Sequence, residues 1–245
     1  MNRKKLVSIS LIGIVVVALA SFVVYFYLES NRAYEELHKS RLHEAYLDAN
    51  DVSRKIGWFT YAFYDNIHEL NGLLRPENSK YNETKEWIIW GKCDFLRTFA
   101  ERCWLDIRRD LRNLRRLTYL DKEIRFLNSS EFDAVYNVIR EALGQVGRTT
   151  LGKTGEEVLN ETPAILWELY YVLGVNQVEQ EQPQSGLLAL DRYFQKLYSY
   201  WYSEATYGKG NMPHDATHPK IALDATDLYQ KLIQWDGYHR SLLYD

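Results

Sequence analysis

The run from Leu6 to Leu28 contains no charged residue, and no other feature constrains the chain as strongly. At about 1.5 Å per helical residue it is long enough to cross a hydrocarbon layer of about 30 Å. Arg3, Lys4 and Lys5 precede it and Glu29 follows. The positive-inside rule therefore puts the N-terminus in the cytoplasm and the remainder outside. Tyr25 and Tyr27 fall where an interfacial aromatic belt sits. These signals predict a short cytoplasmic tail at 1–5, a signal-anchor span at 6–28 and an extracytoplasmic domain at 29–245. The chain is read as a single-pass protein of the cell membrane, with the lipid bilayer as its first partner through residues 6–28.

A cleaved signal peptide is the rival reading. Ala18-Leu19-Ala20 has the A-x-A form of a cleavage site. The apolar run nevertheless continues through Phe22, Val23, Val24, Tyr25 and Phe26, where a mature terminus turns polar, so the anchor is preferred. A pilin-like anchor lacks support, with no Gly before the run and no Glu early within it. No second span follows. The next most apolar stretch, Ala164 to Val175, is short and holds Glu168. A tail of five residues leaves no room for a cytoplasmic domain, so the chain's work lies outside or in the bilayer.

Beyond the span the sequence reads as helix. Tyr34, His38, Leu42, Ala45, Ala49, Val52, Ile56, Phe59, Phe63, Ile67 and Leu70 recur every three or four residues. This extends the membrane helix outward as one amphipathic rod, with Gly57 its weak point and Asn71-Gly72 and Pro76 its end. A second stripe runs Phe95, Phe99, Cys103, Ile107, Leu111, Leu114, Leu117, Leu120, Ile124 and Leu127. Asn128-Ser129-Ser130 breaks the chain, and Ser130 with Asp133 resembles a capping box. Thr162-Pro163 opens a further helix that Gly174 closes. A polar loop is expected over 176–186. Leu187, Leu190, Phe194, Leu197 and Trp201 mark the next helix, and Leu228, Leu232, Trp235, Tyr238 and Leu242 the last. No period-two alternation is long enough for a strand, and 13 Gly with 5 Pro argue against a turn-rich β fold. The expected fold is all-α, an extracytoplasmic bundle of five or six helices behind one transmembrane helix.

Few motifs carry chemistry. Gly147-Arg148-Thr149-Thr150-Leu151-Gly152-Lys153-Thr154 fits the letters of a P-loop, whose glycine amides, Lys and hydroxyl cradle phosphates and magnesium. A P-loop needs a buried strand before it, and residues 132–146 read as helix. Thr154 with Glu157 also makes a helix cap. Gly147, Gly152, Lys153 and Thr154 are thus a chance match, and no cofactor is expected.

His214 and His218 stand four apart, a spacing that on a helix lets two imidazoles reach one metal. Pro213 and Pro219 bracket them tightly, which favours a solvated loop. His38, on the core stripe, reads as a packing residue. Cys93 and Cys103 lie too far apart on one helix to pair, since ten residues rise about 15 Å, and read as buried thiols. Asn82, Asn128 and Asn160 begin sequons.

Arg108, Arg109, Arg112, Arg115 and Arg116 form a basic cluster suited to anionic headgroups or an acidic polymer, interleaved with Asp106 and Asp110. Tyr198, Tyr200, Trp201, Tyr202 and Tyr207 form an aromatic cluster, of which Trp201 and Tyr202 are candidate contact residues. A net charge of −3 excludes a polybasic nucleic-acid binder. The leading reading is a membrane-anchored interaction or assembly module that binds a protein partner or surface component and is not an enzyme. The alternative is a tethered enzyme, metal-dependent through His214 and His218.

Overall fold

The computed structural model describes residues 3–73, 82–149, 162–178, 185–221 and 224–244. Six α-helices carry them: α1 Arg3–Leu73, α2 Asn82–Leu120, α3 Ser129–Thr149, α4 Thr162–Val172, α5 Gly186–Tyr207 and α6 Ala225–Tyr244. Short 3₁₀ turns at Val175–Gln177 and Lys209–Asn211 complete the order, and the described residues contain no strand. The protein is all-α.

Helix α1 runs unbroken for 71 residues, a rod of about 105 Å. Its near-N-terminal part is long and apolar enough to cross a membrane, and none of that apolar window is buried in the protein. From Val15 to Leu28 every side chain is exposed. The distal part behaves differently, because Leu42, Ala45, Ala49, Val52, Ile56, Phe59, Phe63, Ile67 and Leu70 are all buried. One helix thus contributes a solvent-bare apolar segment and the spine of the core.

Helix α1 packs between α5 and α2, α3 covers the far flank of α2, and α6 packs on α3. Helix α4 touches α1, α3 and α6. The core is a single cluster that takes in all six helices. Phe126, in the link between α2 and α3, reaches Phe132, Phe194 and Trp201 with ring centroids 6.1–6.2 Å apart.

Three local expectations need correction. The α2 stripe holds at Cys103, Ile107, Leu111, Leu114 and Leu117, but its first turns differ. Ile89, Cys93, Leu96, Ala100, Cys103 and Ile107 are buried, whereas Phe95 is exposed, its ring stacked on that of half-buried Phe99. Helix α2 also stops at Leu120, which is exposed, because Asp121 turns the chain by accepting from the Glu123 backbone N–H at 3.0 Å. The cap of α3 is Asn128 with Glu131, not Ser130 with Asp133. Asn128 Oδ1 accepts from the Glu131 N–H and Glu131 Oε2 accepts from the Asn128 N–H, both at 3.0 Å. Ser130 Oγ merely donates to Asn128 Oδ1.

Gly174 ends α4 with φ +69° and Gly186 opens α5 with φ +67°, and the two backbones cross in contact. A Cβ on Gly186 would lie 2.1 Å from the Leu173 carbonyl oxygen, which accepts a hydrogen bond from the Leu187 N–H. Only glycine fits there. Pro76 and residues 179–184 of the expected loop lie outside the described residues.

Gly57 is different. A Cβ there would stand 3.4 Å from Asp191 Oδ2, an ordinary contact. Gly57→Ala is therefore expected to stabilise the fold by up to about 1 kcal/mol through helix propensity. A thermal melt should show a rise of roughly 2–4 °C; a fall would mean that the α1–α5 approach tolerates no methyl.

Candidate functional site

The arginine cluster divides in two. Arg115 faces α3, where its guanidinium pairs with Asp133 at 3.3 Å and lies over the Phe132 ring at 4.7 Å. Arg108, Arg109, Arg112 and Arg116 instead line an open cleft of about 620 Å³ with Asp48, Leu105, Asp110 and Asn113. Because Arg108, Arg112 and Arg116 fall four apart on one helix, their Cα atoms climb in steps of about 6 Å.

The cleft is built on the polar seam between α1 and α2. Asn113 Nδ2 donates to Glu44 Oε1 at 2.8 Å and to Asp48 Oδ2 at 2.5 Å. Arg116 pairs with Glu44 at 3.1 Å, and Lys55 with Asp106 at 2.7 Å. Arg109 Nε donates to Asp110 Oδ1 at 2.8 Å. Two guanidiniums remain uncommitted: Arg108 and Arg112 make no ion pair among the described residues, and buried Arg108 Nε has no acceptor.

The acidic members are held partly protonatable by burial. Asp48 is pushed up to about 6, chiefly by desolvation and against the hydrogen bond from Asn113. Asp110 is only 3% exposed and is also raised, again chiefly by burial, while its Oδ2 finds no donor among the described residues. Chemically, the cleft offers two unpaired guanidiniums, an arrangement that suits an oxyanion, beside two carboxyls whose pKa values burial raises.

The basic residues were visible in the sequence, but Glu44, Asp48 and Asn113 were not. Their signal was a polar stripe on α1 (Glu44, Asp48, Asp51, Lys55) beside the apolar one. Without knowledge of the α2 pairing that stripe reads as solvated surface.

The structure places the histidine pair on a loop. Residues 213–220 make a loop, not a helical turn, with His214 exposed. The His218 ring stands 2.8 Å from the Arg125 carbonyl oxygen through Nε2 and 3.1 Å from that of Pro219 through Nδ1. A neutral imidazole carries one N–H and donates to one of these two carbonyls. No group of three His, Cys, Asp or Glu residues suited to a metal occurs among the described residues. The loop and α5 bound a shallow groove of about 860 Å³ that holds Ser199, Ser203 and His218.

Trp201 and Tyr202 also separate. Trp201 is 1% exposed and belongs to the core, unavailable to a partner, whereas Tyr202 is 46% exposed and sits edge-on to Tyr46 at 5.6 Å. Cys93 and Cys103 are free, buried thiols on unbroken α2. Of the P-loop letters, Gly147 lies in the last turn of α3, so a helix leads into the motif where a strand is required. Gly152, Lys153 and Thr154 lie outside the described residues, as do Glu157 and Asn160.

The N-terminal end of the core is closed by a second polar group. His38 Nδ1 meets buried Asp121 Oδ2 at 2.7 Å, Arg41 donates to the Leu120 carbonyl at 2.7 Å, and Tyr34 reaches Glu123 at 3.4 Å. These contacts clasp α1 where it leaves the core. No known protein family, curated protein or solved structure matches the chain.

Proposed function

We propose that the chain is a membrane-anchored docking module: residues 6–28 span the cell membrane with the N-terminus in the cytoplasm, and the helical bundle of 29–245 stands outside and binds a protein partner. The observation that carries this reading is the continuity of α1, whose apolar segment and core stripe belong to one helix. A hinge would leave the domain free to tumble, whereas a continuous helix fixes its height and orientation. Arg108 and Arg112 supply the docking chemistry on the flank of the rod, for an acidic group of the partner. Asp48, which shares their cleft, lies twenty residues beyond Leu28, about 30 Å along the axis. That distance favours a partner's acidic side chains over the headgroups of the chain's own membrane.

Ala33→Pro tests the reading. Ala33 lies on the exposed stretch of α1 below the clasp, so proline kinks the rod without touching the core. Partner capture in mild detergent is expected to fall sharply in Ala33→Pro and in Arg108→Gln/Arg112→Gln, with the circular dichroism melt of both variants unchanged. Capture equal to wild type in Ala33→Pro would reduce the rod to a tether. Protease added to intact cells is expected to digest the domain; its protection would overturn the orientation.

A further inference from the structure

We propose that Lys122, Arg125 and Lys209 form a lipid-contact collar that seats the domain on the anionic headgroup layer and limits the tilt of α1. The inference rests on the reading of 6–28 as the membrane span and adds a second surface to it. Helices α2 and α5 flank α1, and their C-terminal ends at Leu120 and Tyr207 both point towards the apolar segment, because Arg41 binds the Leu120 carbonyl while Ser53 and Tyr46 meet Asp191 and Tyr202 in descending order. The link 121–128 and the turn Lys209–Asn211 therefore make the face nearest Leu28.

Its height follows from Tyr34, six residues beyond Leu28 and so about 9 Å along the helix. Side chains on a helix lean towards its N-terminus, which carries the Tyr34 hydroxyl, and with it Glu123, back towards the bilayer. Lys209 Nζ joins Glu123 at 3.6 Å. A bilayer about 40–45 Å thick around about 30 Å of hydrocarbon leaves roughly 5–8 Å of headgroup on each side, and the Glu123–Lys209 pair falls near that level, with Lys122 and Arg125 on the same link as Glu123.

The chemistry agrees with the height. Lys122 and Arg125 are exposed and have no ion-pair partner among the described residues. Leu37 and Tyr207, 47% and 54% exposed, add apolar and amphipathic surface at the same end of the bundle, the mixture that the membrane interface favours. Exposed cations within a Debye length, about 8–10 Å, of anionic headgroups are attracted to them. The Arg108 cleft, about 30 Å from Leu28, lies beyond that range.

The test places a nitroxide at Gly210→Cys in the full chain, reconstituted in nanodiscs of phosphatidylcholine with or without phosphatidylglycerol. A Cβ at Gly210 meets nothing within 4 Å. Native Cys93 and Cys103 are buried, and burial pushes their thiols up to about 12 and about 11, so they stay unlabelled. A label at Val17→Cys reports on the span. The expected result is a preference of the Gly210 label for collision with membrane-partitioned oxygen over an aqueous nickel chelate. It should be strong in anionic discs and lost in phosphatidylcholine alone and in the triple variant Lys122→Gln/Arg125→Gln/Lys209→Gln. A Gly210 label in bulk water in both lipids, with the Val17 label in hydrocarbon, overturns the collar and leaves the anchor standing. A Val17 label in water overturns both.

Discussion

Trp201→Ala is expected to cost about 3–5 kcal/mol of folding free energy, the range for deletion of a large buried aromatic. The side chain is 1% exposed and fits against Phe126, whose ring also meets Phe194 and Phe132. Removing the indole therefore undermines the packing of the α2–α3 link as well as that of α5. Tyr202→Ala, one residue on, loses only an edge-on contact with Tyr46 and a tilted one with Tyr198, worth about 1 kcal/mol together. Urea unfolding of the two variants separates the roles, with a midpoint drop several-fold larger at Trp201. Equal drops would mean that the core does not depend on the indole.

The contrast shows where the sequence was legible. On α1 the apolar residues recur strictly every three or four positions, and those from Leu42 to Leu70 are buried. On α2 the same counting admitted Phe95, because an aromatic scores as core wherever it falls. The actual seam uses Cys93, Leu96 and Ala100, of which Cys93 and Ala100 are small enough to let α2 approach its neighbours. Hydropathy cannot rank Ala above Phe as a contact residue, since that choice depends on the distance between helices. The end of α2 at Asp121 was hidden for a related reason. Asp121 stops the helix with its own side chain, but its burial beside His38 is a tertiary event.

The candidate site was half legible. Arginines four apart announce a basic helix face, and the structure keeps Arg108, Arg109, Arg112 and Arg116 together while sending Arg115 to α3. What the sequence lacked was the partner helix. Asp48 comes from α1, more than fifty residues earlier, and its role in the cleft exists only once α1 and α2 pair. The loop over 213–220 was legible too, since Pro213 and Pro219 leave no room for a helical turn between them.

Acidification from pH 8 to pH 5 is expected to raise the melting temperature. Asp48, Asp110, Asp191 and Glu204 all have raised pKa values, in each case chiefly through burial. A carboxyl whose pKa is higher in the folded than in the unfolded chain binds more protons when folded, so its contribution to stability falls as pH rises. For Asp48 that loss runs from the unfolded value near 3.8 up through the folded value of about 6. Asp106 works in the opposite sense: the hydrogen bond from Lys55 lowers it, so its stabilisation fails only below the ordinary carboxylate range, outside this window. The full Asp48 shift corresponds to about 3 kcal/mol, and partial solvent screening reduces it to about 1 kcal/mol.

Asp48→Asn isolates that share. An amide keeps an oxygen for Asn113 Nδ2 and removes a charge that Glu44, Asp51 and Asp110 all oppose. The variant should melt higher than wild type at pH 8, with the gap reduced to about half by pH 5 and closing only near the unfolded value of 3.8, as read by calorimetry on the full chain in detergent. A variant that melts lower at pH 8 would show that the Asn113 hydrogen bond outweighs desolvation. The same titration reaches the proposed docking chemistry. As Asp48 takes up its proton below about pH 6, the cleft loses a negative charge beside Arg108 and Arg112, and an acidic partner group meets less opposition there.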